Sequence, residues 1–246
     1  MGKIYEALEK AQRERRGQKK APMFVVLSPG ERPSTGFEVV AEREMVTLSR
    51  NIDALLPDTP RKMILFIGSQ PGEGTSTVIR DFAMVSAARL GKSVLLLDAD
   101  NRSPSQHLSF HLQPNFGWEE ILRNKRTFRK AVCRIGDTSL YVYPNPPGSA
   151  SLPKALFSPG IKEFWEEAKE RFELVLIDSA PASASPDGIA LSRFVDGVVL
   201  VLEADKTRTP VVENLKSRIV QNGGNLLGMV FNNRRYHIPE AVYKRL

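Results

Sequence analysis

An apolar run, Ile64-Leu-Phe-Ile-Gly68, leads into Ser69-Gln-Pro-Gly72-Glu-Gly74-Thr75-Ser76-Thr77 and on into a stretch, 77–90, whose apolar residues recur at helical spacing. Strand, glycine-rich turn and helix in that order fold the backbone tightly enough to point its N–H groups inward around phosphate oxygens, and the helix dipole favours the anion. Ser76 stands where a hydroxyl holds Mg²⁺, with Thr77 as its neighbour. Two positions depart from the pattern G-x-x-x-x-G-K-[ST]: Ser69 replaces the first glycine and Thr75 replaces the lysine. Such a lysine neutralises the β- and γ-phosphates and stabilises charge as the phosphoryl group leaves. Threonine brings a hydroxyl and no charge. Ground-state binding through backbone groups and Mg²⁺ is therefore expected to survive better than phosphoryl transfer.

The unit sits in a chain that alternates strand and helix. Apolar runs at 63–68, 93–97, 174–177, 197–202 and 226–231 are separated by helical stretches at 77–90, 161–171 and 210–222. Continuous apolar strands joined by helices predict an α/β fold with a parallel sheet covered on both faces. Ligands in such sheets sit at the carboxyl ends of the strands, beside helix N-termini. Ahead of this domain, residues 1–20 read as a basic amphipathic helix carrying Ile4, Tyr5, Leu8 and Ala11 on one face. Residues 21–36 read as a proline-containing linker with an apolar patch at 24–27, and 37–246 as the domain, beginning with a helix at 37–56 that Pro57 and Pro60 close.

Two further strand ends carry acids. Val94-Leu-Leu-Leu-Asp98-Ala-Asp100-Asn-Arg102-Ser-Pro104 places carboxylates at i and i+2 of an extended segment, on one side of it, where they organise Mg²⁺ waters or take a proton from a hydroxyl. Arg102 is a candidate phosphate or carboxylate partner. Leu174-Val-Leu-Ile177-Asp178-Ser-Ala-Pro181 has the form of a strand-end aspartate that binds metal through water.

Together, PGEGTST, LLLDADNRSP and LVLIDSAP resemble the Walker A, A′ and B motifs of the bacterial tyrosine kinases, P-loop NTPase-type partners of polysaccharide chain-length regulators. The likeness spans residues 37–246, and the opening IYEALEKA is similar to the subgroup found in exopolysaccharide clusters. The resemblance implies that Gly72, Glu73, Gly74, Thr75 and Ser76 cradle the phosphates of ATP or ADP by their backbone, that Ser76 ligates Mg²⁺, and that Thr77 lies near the α-phosphate. It implies Asp98 as base for a tyrosine hydroxyl, assisted by Asp100, with Asp98, Asp100 and Asp178 around the metal. It places Asn232 and Arg234 where the fold meets the nucleotide base. It further implies a membrane chain-length regulator as partner and a cytoplasmic location, peripheral to the inner membrane.

Other departures accompany Thr75. The family's ring-forming helix begins Glu-x-x-Arg-x-x-Arg, whereas Glu44-Met-Val-Thr47-Leu-Ser-Arg50 keeps only its ends, which leaves self-association open. The substrate tyrosine cluster is reduced to Tyr236 and Tyr243, and Tyr243 stands in an apolar stripe with Ile238, Val242 and Leu246, suited to docking. The expectation is a nucleotide-binding protein with weakened transfer; an active tyrosine autokinase and a partition- or division-type ATPase are the alternatives. The last usually adds a lysine near Gln70, and none is present.

Composition narrows the classes further. Residues 1–20 hold seven Lys/Arg against three Glu and residues 234–246 four against one, so the whole net charge of +7 is terminal. That placement suits an anionic membrane surface or an acidic partner, and no nucleic acid is expected. No apolar run of the length needed to span a bilayer occurs. The single cysteine, Cys133, excludes an internal disulfide and reads as a small buried residue. Trp118 and Trp165 are expected to pack, and His107, His111 and His237 have no metal-ligand spacing.

Overall fold

The structure is a computed structural model describing residues 25–26, 39–123, 125–149 and 161–233. The helix expected at 1–20, nearly all of the linker, and Arg234, Tyr236, His237 and Tyr243 lie outside these residues. The five apolar runs form β2 (Lys62–Gly68), β3 (Val94–Asp98), β6 (Leu174–Asp178), β7 (Gly197–Glu203) and β8 (Leu226–Asn232). Three short strands complete the sheet: β1 (Val25–Val26), β4 (Cys133–Arg134) and β5 (Leu140–Tyr143). The order is β1-β4-β5-β3-β6-β2-β7-β8, and every pairing is parallel except β4 with β5. β1 falls within the apolar patch at 24–27 and pairs with β4.

Alternation along the strands divides the interior into two layers. Met63, Leu65, Ile67, Leu95, Leu97, Val175 and Ile177 face one way, under α4 (Trp118–Arg123), α5 (Lys125–Ala131), α6 (Ile161–Arg171), α7 (Asp187–Leu191) and α8 (Thr209–Gln221). There Trp118 meets Tyr143 at 4.5 Å and Phe164 at 5.6 Å, both edge-on, a geometry suited to ring quadrupoles. Ile64, Phe66, Val94, Leu96, Leu174 and Leu176 face the other way, under α1 (Val39–Leu55) and α2 (Thr75–Ala88), through Met45, Ile52, Val78, Ile79 and Phe82. Asp53 of α1 ties that helix to the sheet by ion pairs with Lys62 at 3.0 Å and Lys92 at 2.8 Å.

This alternation positions the site. Asp98 follows Leu96, and Asp178 follows Leu176, so both acids fall on the face that α2 covers. They are register partners across β3 and β6. The loop before α2 springs from β2, the other neighbour of β6. Three motifs far apart in sequence therefore converge at three adjacent strand ends. Among the described residues no helix is long and apolar enough to cross a membrane.

Candidate nucleotide site

The turn between β2 and α2 is built on two glycines in the left-handed region, Gly72 at φ 88° and Gly74 at φ 86°. Gly74 also has no room for a side chain: a β-carbon there would collide with the Asn232 amide, whose Nδ2 donates to the Glu73 carbonyl at 2.9 Å. Asn232, expected near a nucleotide base, thus fastens the end of β8 to the turn. Gly74→Ala is expected to cost about 1–3 kcal/mol and to abolish nucleotide binding, because both backbone conformation and packing are violated. Gly72→Ala meets nothing within 4 Å and should be the milder of the two by thermal melting.

Glu73 does more than contribute backbone. Its side chain is 3% exposed and folds back under the turn, accepting from the Ser69 and Gln70 backbone N–H groups, from Ser69 Oγ at 2.7 Å and from Thr207 Oγ1 at 2.6 Å. Four donors satisfy a buried carboxylate without a cation. Thr207, in the segment between β7 and α8, carried no signal in the sequence. The segment after β6 braces the same turn through Ala182 N–H to the Gly68 carbonyl and Ser183 N–H to that of Ser69.

Thr75 opens α2 and is 8% exposed. Its hydroxyl and Glu73 Oε2 both lie over Gly68, where a β-carbon would meet them at 2.6 and 3.0 Å. Thr75 is therefore turned to the base of the loop. Ser76 follows as the second residue of α2.

The acids are more enclosed than an exposed pair would be. Asp98 is wholly buried, and its oxygens accept from the backbone N–H groups of Asp100 at 3.2 Å and of Ser105 and Gln106, each at 3.0 Å. Asp100 is 6% exposed and accepts from Arg102 N–H at 2.8 Å and Ser103 N–H at 3.0 Å. Burial, and then the neighbouring Asp178 carboxylate, hold Asp98 well above the usual carboxylate range, against those backbone donors. Burial pushes Asp178 up to about 6, opposed by the side chains of Gln106 and Ser76. Arg80, one turn along α2 from Ser76, also lowers Asp178 by its charge. Arg102 is exposed and meets the site by its backbone.

Among the described residues no three His, Cys, Asp or Glu side chains gather into a metal cage. Mg²⁺ does not need one, since it keeps several waters and takes one or two protein ligands plus phosphate oxygens. Asp178 Oδ1 is buried with no partner, an acceptor suited to a water of a hydrated cation. Ser76 and Asp178 therefore fit Mg²⁺ through hydroxyl and water, with Asp98 and Asp100 alongside.

Strand, glycine turn, helix and adjacent acids define the class: a P-loop protein of the parallel α/β type. No protein-family model matches the chain. It is 33% identical over 192 residues to the tyrosine-protein kinase YwqD of Bacillus subtilis, covering 77% of this chain and 79% of that one. It is 28% identical over 215 residues to the putative tyrosine-protein kinase CapB of Staphylococcus aureus, covering 86% and 89%. Among solved structures, the chimerical protein CapA2B2 superposes with a TM-score of 0.73 at 25% identity, over 82% of this chain and 88% of that one. MinD of Pyrococcus horikoshii, solved with Mg-ADP, shares the fold at a TM-score of 0.59 and 17% identity, over 75% and 76%. The chain belongs to the bacterial tyrosine-protein kinase family of the capsule and exopolysaccharide type.

Proposed function

We propose that this chain binds ATP or ADP with Mg²⁺ at the turn of residues 72–77 and transfers phosphate only weakly, acting in exopolysaccharide biosynthesis or export by docking onto a membrane chain-length regulator. The observation that carries this reading is Thr75, uncharged and turned to the base of the loop, beside an otherwise complete set of Ser76, Asp98, Asp100 and Asp178. Mg²⁺ held at Ser76 and Asp178 would supply positive charge against the phosphates. The chain's own contribution is a set of glycine-turn N–H groups for phosphate, the Ser76 hydroxyl, and acids that hold metal waters.

Support for the partner comes from the longer relatives. The chain spans about a quarter of the succinoglycan biosynthesis transport protein ExoP of Rhizobium meliloti, at 28% identity over 185 residues. It spans a similar share, 26%, of the tyrosine-protein kinase ptk of Acinetobacter johnsonii. About three quarters of each of these relatives lies outside the part that this chain matches.

Mass spectrometry of the protein incubated with Mg·ATP tests the weakened transfer. Little phosphate on Tyr236 or Tyr243 is expected. Extensive phosphorylation that disappears in Asp98→Ala would make it an active autokinase instead.

A further inference from the structure

Gln106 opens a four-residue helix, α3 (Gln106–Ser109), just beyond the Asp98–Asp100 segment, and its side chain is fully buried. Its backbone N–H donates to Asp98 Oδ2 at 3.0 Å. Its Nε2 donates to Asp178 Oδ2 at 2.7 Å and to the Ser76 carbonyl at 3.1 Å. One residue thus touches all three motifs. Both partners of Nε2 are acceptors, so the amide orientation is settled by them: flipped, Oε1 would face a carboxylate and a carbonyl.

A structural role alone explains this poorly. The backbone bond to Asp98 would persist with any residue at 106. The side-chain amide leaves its own Oε1 buried and unpartnered, a cost that an apolar residue of the same size would avoid. What the amide achieves is asymmetry at Asp178: Oδ2 is occupied by Gln106, and Oδ1 is left as the buried oxygen without a partner. Arg80, one turn along α2 from Ser76, also holds α3, its Nη1 donating to Ser109 Oγ at 2.6 Å, which in turn donates to the Ser105 carbonyl at 3.3 Å.

We infer that Gln106 is a positioning residue for the metal: through its bonds to Asp178 Oδ2 and the Ser76 carbonyl it fixes the Asp178 carboxylate so that Oδ1 is the oxygen that holds a water of the hydrated divalent cation. The inference rests on the reading of this site as a metal–nucleotide site. Partners that orient metal-binding groups typically matter 10–100-fold in metal affinity.

The test compares ADP binding to the full chain in Mn²⁺ and in EDTA, with the Mn²⁺ spectrum followed by electron paramagnetic resonance. Gln106→Met keeps the side-chain volume and removes the donor; Gln106→Asn, one methylene shorter, falls short of Asp178 and serves if the methionine variant does not fold. Either is expected to weaken Mn²⁺-dependent ADP binding roughly 10–100-fold while ADP binding in EDTA stays as in the wild type. Gln106→His, with a ring N–H at similar reach, should recover part of the loss. Wild-type Mn²⁺ dependence in the variants, or equal losses with and without metal, would overturn the role of Gln106. A wild type that binds ADP under neither condition would overturn the site reading itself.

Discussion

Thr75→Lys is expected to raise phosphoryl transfer from ATP on the order of 100-fold or more, with a smaller gain in nucleotide affinity. The reason lies in what each state of the reaction asks of the loop. In the proposed function, backbone N–H groups and a cation bound at Ser76 would hold the ground state. A lysine adds charge where the transferring phosphoryl group develops it. Thr75 begins α2, so a lysine there would add its charge at a helix N-terminus, the end that favours an anion. Glu73, the nearest carboxylate, already accepts four hydrogen bonds and has no need of a new cation. Single-turnover assays with γ-labelled ATP measure the change. A wild type as fast as the lysine variant would show that some other cation supplies the missing charge.

The second large effect is expected at Asp178. This carboxyl is wholly enclosed and pushed up to about 6, chiefly by burial. The folded chain therefore holds a proton that the unfolded chain releases between about pH 4 and 6. Its contribution to stability is greatest below about pH 4, falls as pH rises through that window, and stays low above it. Asp178→Asn removes the charge, and its carbonyl can still accept from Gln106. The metal-free variant should be more stable than the wild type at pH 7.5 by on the order of 1–3 kcal/mol, and the difference should vanish near pH 4. The same substitution should abolish Mg²⁺-dependent nucleotide binding. Urea unfolding in EDTA at both pH values measures it; a less stable variant at pH 7.5 would refute the buried charge.

The sheet was legible because its central strands are buried on both faces and so read as unbroken apolar runs; β2, β3, β6, β7 and β8 fall within a residue of the expected bounds. β4 and β5 escaped notice, having only two and four residues. Helix α2 starts at Thr75, two residues before the apolar spacing suggested, because Gly74 in the left-handed region begins it and periodicity cannot register the first polar turn. Cys133 is buried, as expected of it. His111 lies on the surface, while His107 Nδ1 is buried without a partner.

Within the site, the glycines and the three strand-end acids were visible because loop and metal chemistry restrict residue type at fixed spacing. The fully enclosed state of Asp98 was not, since it follows from amides of its own loop closing on it. Gln106, Thr207 and Arg80 were also missed. Their roles exist only once β3, β6 and β2 lie side by side, and no local pattern marks a glutamine or threonine for such a contact.

The central claim, a metal-dependent nucleotide site that does without its lysine, is tested most directly by calorimetric titration of ADP into the wild-type protein with Mg²⁺ and again with EDTA. Saturable binding at one site per chain is expected with Mg²⁺, weakened on the order of tenfold or more by chelation, since no lysine remains to hold the phosphates alone. Absence of binding at millimolar ADP with Mg²⁺, or binding indifferent to chelation, would contradict it.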